Sequence, residues 1–239
     1  MRTFGLLGFP LSHSFSQKYF TEKFKKENIT DCEFKNFSLE NIEELSDLLK
    51  NNSSLCGLSV TIPHKQSVMK FLNRIDATAK EIGAVNCIRT KDMKGFNTDI
   101  LGFEKSLKPL LKSHHKQALV LGTGGASKAV THILDLSKIK FRLVSRKINH
   151  LSYSDLNHAY VSESQLIINT TPLGMFPNLN DCPKIPYEFL TSKHLLYDLN
   201  YNPEETLFLK KGKEKGAQIK NGLEMLHLQA EEAWRIWNS

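Results

Sequence analysis

At 239 residues, with 40% hydrophobic and 24% charged side chains, the chain is long enough for one large domain or two modest ones that each bury a core. No apolar run approaches the roughly 18 residues of a membrane span, and residues 1–9 lack a secretion signal's charged lead, so a cytoplasmic protein without membrane association is expected. The formal charge of +7 is scattered apart from short basic clusters at 23–26 and 210–215, which suits a solvated surface with a preference for small anions and no nucleic-acid partner.

Cys32, Cys56, Cys87 and Cys182 are widely spaced without a CxxC pair, so neither a zinc site nor a disulfide framework is indicated. A strand is expected over 2–9 and a helix over 14–27, with Phe15, Tyr19, Phe20 and Phe24 available for packing. Strands follow at 33–37 and 55–60, separated by a helix that holds Ile42, Leu45, Leu48 and Leu49. After a strand over 84–88, a helix over 97–111 leads across a domain junction.

The stretch LGTGGASKAV, starting at Leu121, then follows the apolar run 118–120 and opens onto a helical pattern. Gly122 suits a tight turn, Gly124 lets backbone approach a phosphate, and Gly125, Ala126 and the residues up to Ala129 start a helix whose free N–H groups attract an anion. By itself the motif fits an ordinary turn as well as a dinucleotide site, since Ser127 stands where a strict third glycine would be. Context favours the cofactor: a second strand over 140–145 lies one helix away, and Ala129, Val130, Ile133, Leu134 and Leu136 face a sheet from that helix. The long stretch ahead of the turn suggests a separate substrate domain.

Further strands are expected at 166–169, 195–198 and briefly 217–220, with a short, helix-poor crossover over 146–165. The stripe Leu223, Leu226, Ala230, Ala233 and Trp237 marks a closing helix.

Four segments carry candidate chemistry. In GFPLSHSFS (8–16), Ser12, Ser14 and Ser16 stand where strand gives way to helix, a place that capping alone explains for a lone serine. In SVTIPHK (59–65), Pro63 suits a helix's first turn, and Lys65 just inside it meets an unfavourable helix potential unless an anion or a reacting oxygen is nearby. GAVNC (83–87) and GFNTDILG (95–102) add Asn86 and Asp99, the latter also a plain helix N-terminal charge.

Taken in this order, and completed by NTTPLGM (169–175), YDLNYNPEETLFL (197–209) and NGLEMLHLQA (221–230), these segments resemble the shikimate dehydrogenase family along nearly the whole chain. The resemblance implies an α/β fold in which an N-terminal α/β substrate domain precedes a Rossmann-like dinucleotide-binding domain, with the C-terminal helix returning to the first domain. The expected bounds are 1–100 plus 223–239 for the substrate-binding catalytic domain and 101–222 for the NADP domain. It also implies reversible, NADPH-dependent reduction of 3-dehydroshikimate to shikimate, a step toward chorismate and the aromatic amino acids.

Carried over by motif, Ser14, Ser16, Thr61, Lys65, Asn86, Asp99 and Gln229 are the implied substrate ligands, with Lys65 and Asp99 the catalytic pair. Gly122, Gly124, Gly125, Ala126, Ser145, Arg146, Lys147, Thr170 and Gly222 are the implied NADP ligands. Tyr201 and Met225 are implied pocket walls, and His13 has a positional role only.

The chemistry is coherent. Hydroxyl and amide side chains match the three hydroxyls and the carboxylate of shikimate, and an ammonium at Lys65 stabilises the charge that hydride addition leaves on oxygen. No metal is needed. At the end of the second strand of the cofactor domain, Ser145-Arg146-Lys147 contains no acid to bind the ribose hydroxyls of NAD, and its cations suit a 2′-phosphate. The family more often has Asn and Thr around this arginine, and Asn at the place of Ser59. An NAD-linked quinate/shikimate enzyme and a non-catalytic nucleotide-binding regulator are the competing readings. The oligomeric state is left between monomer and homodimer.

Overall fold

The computed structural model describes residues 1–11, 15–146 and 149–239. Its regular elements are β1 (Arg2–Gly8), α1 (Phe15–Lys26), β2 (Cys32–Ser38), α2 (Leu45–Asn51), β3 (Leu55–Val60), β4 (Arg74–Ile75), α3 (Ala77–Ile82), β5 (Cys87–Arg89), β6 (Lys94–Phe96) and α4 (Asp99–Leu107). They continue with β7 (Gln117–Leu121), α5 (Gly125–Leu136), β8 (Lys140–Val144), α6 (His158–Glu163), β9 (Leu166–Asn169), β10 (Leu195–Asp198), α7 (Leu207–Glu214), β11 (Gln218–Lys220) and α8 (Leu223–Trp237). The chain divides into two compact units, Met1–Thr98 with Ala230–Ser239, and Asp99–Gln229. The architecture is the expected α/β one: a mixed sheet first, a Rossmann-like parallel sheet second, and a closing helix whose last turns belong to the first unit.

In the first unit the sheet order is β2-β1-β3-β5-β6-β4. β1 runs parallel to β2 and β3, while β5 is antiparallel to both β3 and β6. Alternation along β1 sends Phe4 and Leu6 to one face and Leu7 to the other. The first face packs Phe20 and Phe24 of α1 with Ala230, Ala233, Ile236 and Trp237 of α8, and the second packs Leu45, Val68 and Ala79. Gly57 makes room for the indole of Trp237, since a Cβ there would stand 2.3 Å from the ring. Trp237 Nε1 then donates to the carbonyl of Ile88 at 3.1 Å, so the buried indole keeps a partner.

The second unit is a parallel five-stranded sheet in the order β11-β10-β9-β7-β8. Ala118, Val120, Leu166, Ile168, Leu195 and Tyr197 face Phe103, Val130, Ile133 and Met225, while Leu119, Leu121, Ile167 and Leu196 face Val161, Phe208 and Leu209. Helices therefore cover both faces, as a parallel sheet requires. The strand order reverses between β7 and β9, so the carboxyl ends of these two strands flank the crevice where such sheets bind ligands.

Several boundaries differ from the sequence expectation, each for a local reason. The expected strand over 84–88 is regular only from Cys87, because Val85 N–H donates to the Lys65 carbonyl and Asn86 N–H to that of Phe96. The helix expected over 97–111 stops at Leu107, and a 3-10 turn over Lys108–Leu110 follows, because Pro109 lacks the N–H the α-helix needs. Pro63 and Lys65 do not start a helix: they lie in turns ahead of a 3-10 helix over Ser67–Phe71. On α8 the buried positions near its start are Met225 and Gln229, with Leu223 and Leu226 half-buried. Among the described residues no helix is long and apolar enough to cross a membrane.

Candidate functional site

In the first unit, the carboxyl ends of β1 and β3 gather polar groups. Thr61 follows β3 directly: its N–H donates to the carbonyl of Leu7, and a Cβ at Gly8 would stand 2.4 Å from its methyl. Lys65 is half-buried in the turns beyond, and its carbonyl accepts from Val85 N–H at 2.7 Å, which brings it next to Asn86. Asn86 is 3% exposed and its carbonyl accepts from Val60 N–H, at the end of β3. Ser16 is buried in the first turn of α1. Ser12, His13 and Ser14 lie outside the described residues.

Thr98 fixes the orientation of the Asn86 amide. Its N–H donates to Asn86 Oδ1 at 2.6 Å, and Asn86 Nδ2 donates to Thr98 Oγ1 at 3.0 Å. Both residues are buried, so flipping the amide would set donor against donor. The sequence reading passed over Thr98, although it stands between two emphasised segments in GFNTD.

The second unit holds Asp99 and Gln229. Asp99, 6% exposed, begins α4, and Gly102 lies one turn on along the same helix face. A Cβ at Gly102 would stand 2.6 Å from the carbonyl of Met225 and 3.2 Å from Gln229 Cβ, so the glycine allows α4 and α8 to touch backbone to backbone. Gln229 is held at this contact, with Nε2 donating to the carbonyl of Leu226 at 3.0 Å. Met225 is buried in the core of this unit, and Tyr201 is half-buried.

At the crevice between β7 and β9, Gly122 has φ +108, and a Cβ would meet Thr170 Oγ1 at 2.7 Å. Only glycine suits both the dihedral and the space. Thr170 Oγ1 and N–H both donate to the carbonyl of Leu121, at 2.7 and 2.9 Å. Gly124 caps α5 with no side-chain hydrogen bond and with nothing within 4 Å of its missing Cβ, leaving an open approach to the helix N-terminus. Gly125 and Ala126 form the first turn, and the Ser127 hydroxyl folds back onto the carbonyl of Gly124 at 2.7 Å. This is a cradle for an anion, made from backbone donors and the helix dipole.

Ser145 and Arg146 follow β8, the first buried and the second exposed, while Lys147 lies outside the described residues. Ser145 N–H donates to the carbonyl of Leu151, and Leu151 bridges Val144 in parallel, so the chain at Leu151 runs beside the end of β8. Burial raises the phenol of Tyr153 there, and the guanidinium of Arg146 opposes the shift. Gly222 is packed close to the segment after β10: its N–H donates to the carbonyl of Asn200, and a Cβ would stand 2.1 Å from that of Leu199. Among the described residues no group of His, Cys, Asp and Glu is arranged to hold a metal ion.

Comparison with known proteins adds the family. Residues 6–88 match the model of the shikimate dehydrogenase substrate binding domain. A shikimate dehydrogenase (NADP(+)) of Clostridium beijerinckii is 40% identical, over 99% of this chain and 92% of that protein. The crystal structure of shikimate dehydrogenase from Aquifex aeolicus superposes with a TM-score of 0.88 at 33% identity, covering 100% of this chain and 92% of that one. The Thermus thermophilus shikimate 5-dehydrogenase, solved in complex with NADP(H) and shikimate, gives a TM-score of 0.87 at 28% identity, with 99% and 93% covered.

Proposed function

Because the chain belongs to the shikimate dehydrogenase family, we propose that it catalyses the reversible NADPH-dependent reduction of 3-dehydroshikimate to shikimate, as an oxidoreductase acting on a CH–OH group. One observation carries the reading: a glycine turn against an uncapped 12-residue helix and an acid-free end of β8 lie on one parallel sheet, in a chain matched along its whole length by enzymes of that name. We assign residues 1–100 plus 223–239 to the substrate-binding catalytic domain and 101–222 to the NADP domain.

The cofactor domain fits a dinucleotide phosphate. Gly124, Gly125 and Ala126 offer backbone N–H groups to the pyrophosphate, while Gly122, whose own N–H donates to the carbonyl of Val144 at 2.8 Å, makes the tight turn, with Thr170 supporting it from below. Arg146 can clamp a 2′-phosphate with paired donors, flanked by Ser145 and Lys147, and Gly222 keeps the closing segment close. When bound, NADPH supplies the hydride.

The chain's own residues then handle the substrate. Ser14, Ser16, Thr61, Asn86 and Gln229 offer hydroxyls and amides to the carboxylate and hydroxyls of a small polyol acid. Lys65 Nζ gives a proton to the carbonyl oxygen as negative charge grows there, and Asp99 is assigned as the other catalytic residue. We assign the activity to the cytoplasm and to a monomer or homodimer, without nucleic-acid or membrane partners.

Reduced nicotinamide absorbance, followed with shikimate or quinate and with NADP⁺ or NAD⁺, tests this. The expected result is fastest turnover with shikimate and NADP⁺. A kcat/KM for NAD⁺ equal to that for NADP⁺, with activity on quinate, would replace the reading by the quinate/shikimate enzyme. No turnover in any combination would return the non-catalytic regulator.

A further inference from the structure

With the second unit read as the NADP domain, one buried group has no role in the chemistry above: the carboxylate of Asp198. It ends β10 at 0% exposure, and among the described residues its hydrogen-bond partners are neutral. Asn169 Nδ2 and the N–H of Asn200 donate to Oδ1, each at 3.0 Å, and Thr206 Oγ1 donates to Oδ2 at 2.6 Å. Burial pushes the carboxyl up to about 7, against the opposite pull of these three bonds. A buried carboxylate without a cation is a costly way to fill space.

The same carboxylate orders the segment after β9. Asn169, oriented by its bond to Asp198, accepts on Oδ1 from the N–H of Thr171 at 3.0 Å and from its hydroxyl at 2.6 Å. Asn200, held through its N–H, donates from Nδ2 to the carbonyls of Thr171 at 3.0 Å and Leu173 at 3.1 Å. Both ends of residues 169–173 thus lead back to one carboxylate. Thr170, in the middle, is the residue that supports the Gly122 turn.

We propose that Asp198 is a positioning residue for the cofactor: its carboxylate fixes residues 169–173 so that Thr170 holds the Gly122 turn in the geometry that binds the pyrophosphate, at a cost in fold stability. The proposal rests on the NADP reading. A group kept only for structure would behave in the opposite way, since its replacement would lower stability and leave cofactor affinity alone.

Asp198→Asn separates the two. The amide keeps the shape and removes the charge: its oxygen still accepts from Asn169 and Asn200, its NH2 faces Thr206 Oγ1, which can turn to accept, and every one of these bonds loses its charge assistance. Calorimetric titration of the full chain with NADP⁺ should show Kd weakened about tenfold, the scale of a small misplacement at a binding site. The melting temperature at about pH 8 should rise by several degrees.

Thr206→Val is the contrast. It removes one donor to Asp198 and the hydroxyl that caps Leu209 N–H, and should lower the melting temperature while leaving the NADP⁺ Kd unchanged. The proposal is overturned by an unchanged Kd in Asp198→Asn, by an Asp198→Asn chain that is less stable or fails to fold, or by an equal loss of affinity in Thr206→Val. Titration needs no turnover, so a wild-type chain that binds NADP⁺ without oxidising shikimate would sink the proposed reaction and leave this test standing.

Discussion

Thr98→Val is the substitution that most sharply probes how the first unit presents Asn86. Valine keeps the shape and the backbone N–H, so the 2.6 Å bond from Thr98 N–H to Asn86 Oδ1 survives. What is lost is Oγ1, which accepts from Asn86 Nδ2 at 3.0 Å and donates to Asn86 Oδ1 at 3.3 Å. Removing the partner of a buried N–H costs about 1–3 kcal/mol, and each 1.4 kcal/mol is about a factor of ten in an equilibrium. If Asn86 is a substrate ligand, that loss falls on its aim, and the KM for shikimate should rise about tenfold with the KM for NADP⁺ unchanged. Initial rates at saturating NADP⁺ and varied shikimate measure it. A lowered melting temperature with both KM values unchanged would show that the Thr98–Asn86 pair serves the fold alone.

Three further outcomes follow from the same geometry. Lys65→Ala should lower kcat by about 10² or more with a smaller change in the KM for shikimate, because the ammonium matters most as charge develops on oxygen; a large rise in KM at unchanged kcat would remove its catalytic role. Arg146→Ala should weaken use of NADPH and leave NADH nearly unaffected, and equal losses on both would contradict 2′-phosphate recognition.

The third concerns pH. Asp198 is pushed up to about 7 by burial, so the folded state holds its proton more tightly than the unfolded chain does. Its stabilising contribution is complete below the unfolded value of about 4 and is lost as pH rises through 7, a loss of roughly 2–4 kcal/mol relative to Asp198→Asn. The phenol of Tyr187, raised by burial first and by Cys182 and Asp198 after it, stays neutral throughout. Denaturant melts of both proteins across that window check this, and parallel profiles would refute it.

Much of the fold was legible because hydrophobic alternation and helical spacing are local signals. β7, β9 and β10 carry apolar runs bounded by turns, and α5 follows its glycine turn directly, so each is visible within a few residues. The short elements β4 and β6 were not, since two- and three-residue strands carry no period. α8 shows how periodicity misleads near a junction: its first turns pack in the second unit through Met225 and its last in the first through Trp237, so no single stripe describes it.

The candidate site divides in the same way. Residue types suited to the proposed chemistry, such as Lys65, Asp99 and Arg146, stand out by their placement beside strand ends and turns. Residues that act by holding others do not. Thr98 on Asn86, Gly102 between α4 and α8, and Asp198 on Asn169 are contacts whose partners lie elsewhere in the chain, and no spacing rule joins position 169 to position 198.

The most direct measurement supplies the chain with 3-dehydroshikimate and NADPH and follows both the loss of reduced nicotinamide absorbance and the appearance of shikimate by proton NMR. The expected result is one shikimate formed per NADPH consumed, with the rate falling about 10² or more in Lys65→Ala. NADPH consumption without shikimate, or shikimate formation undiminished in that variant, would contradict it.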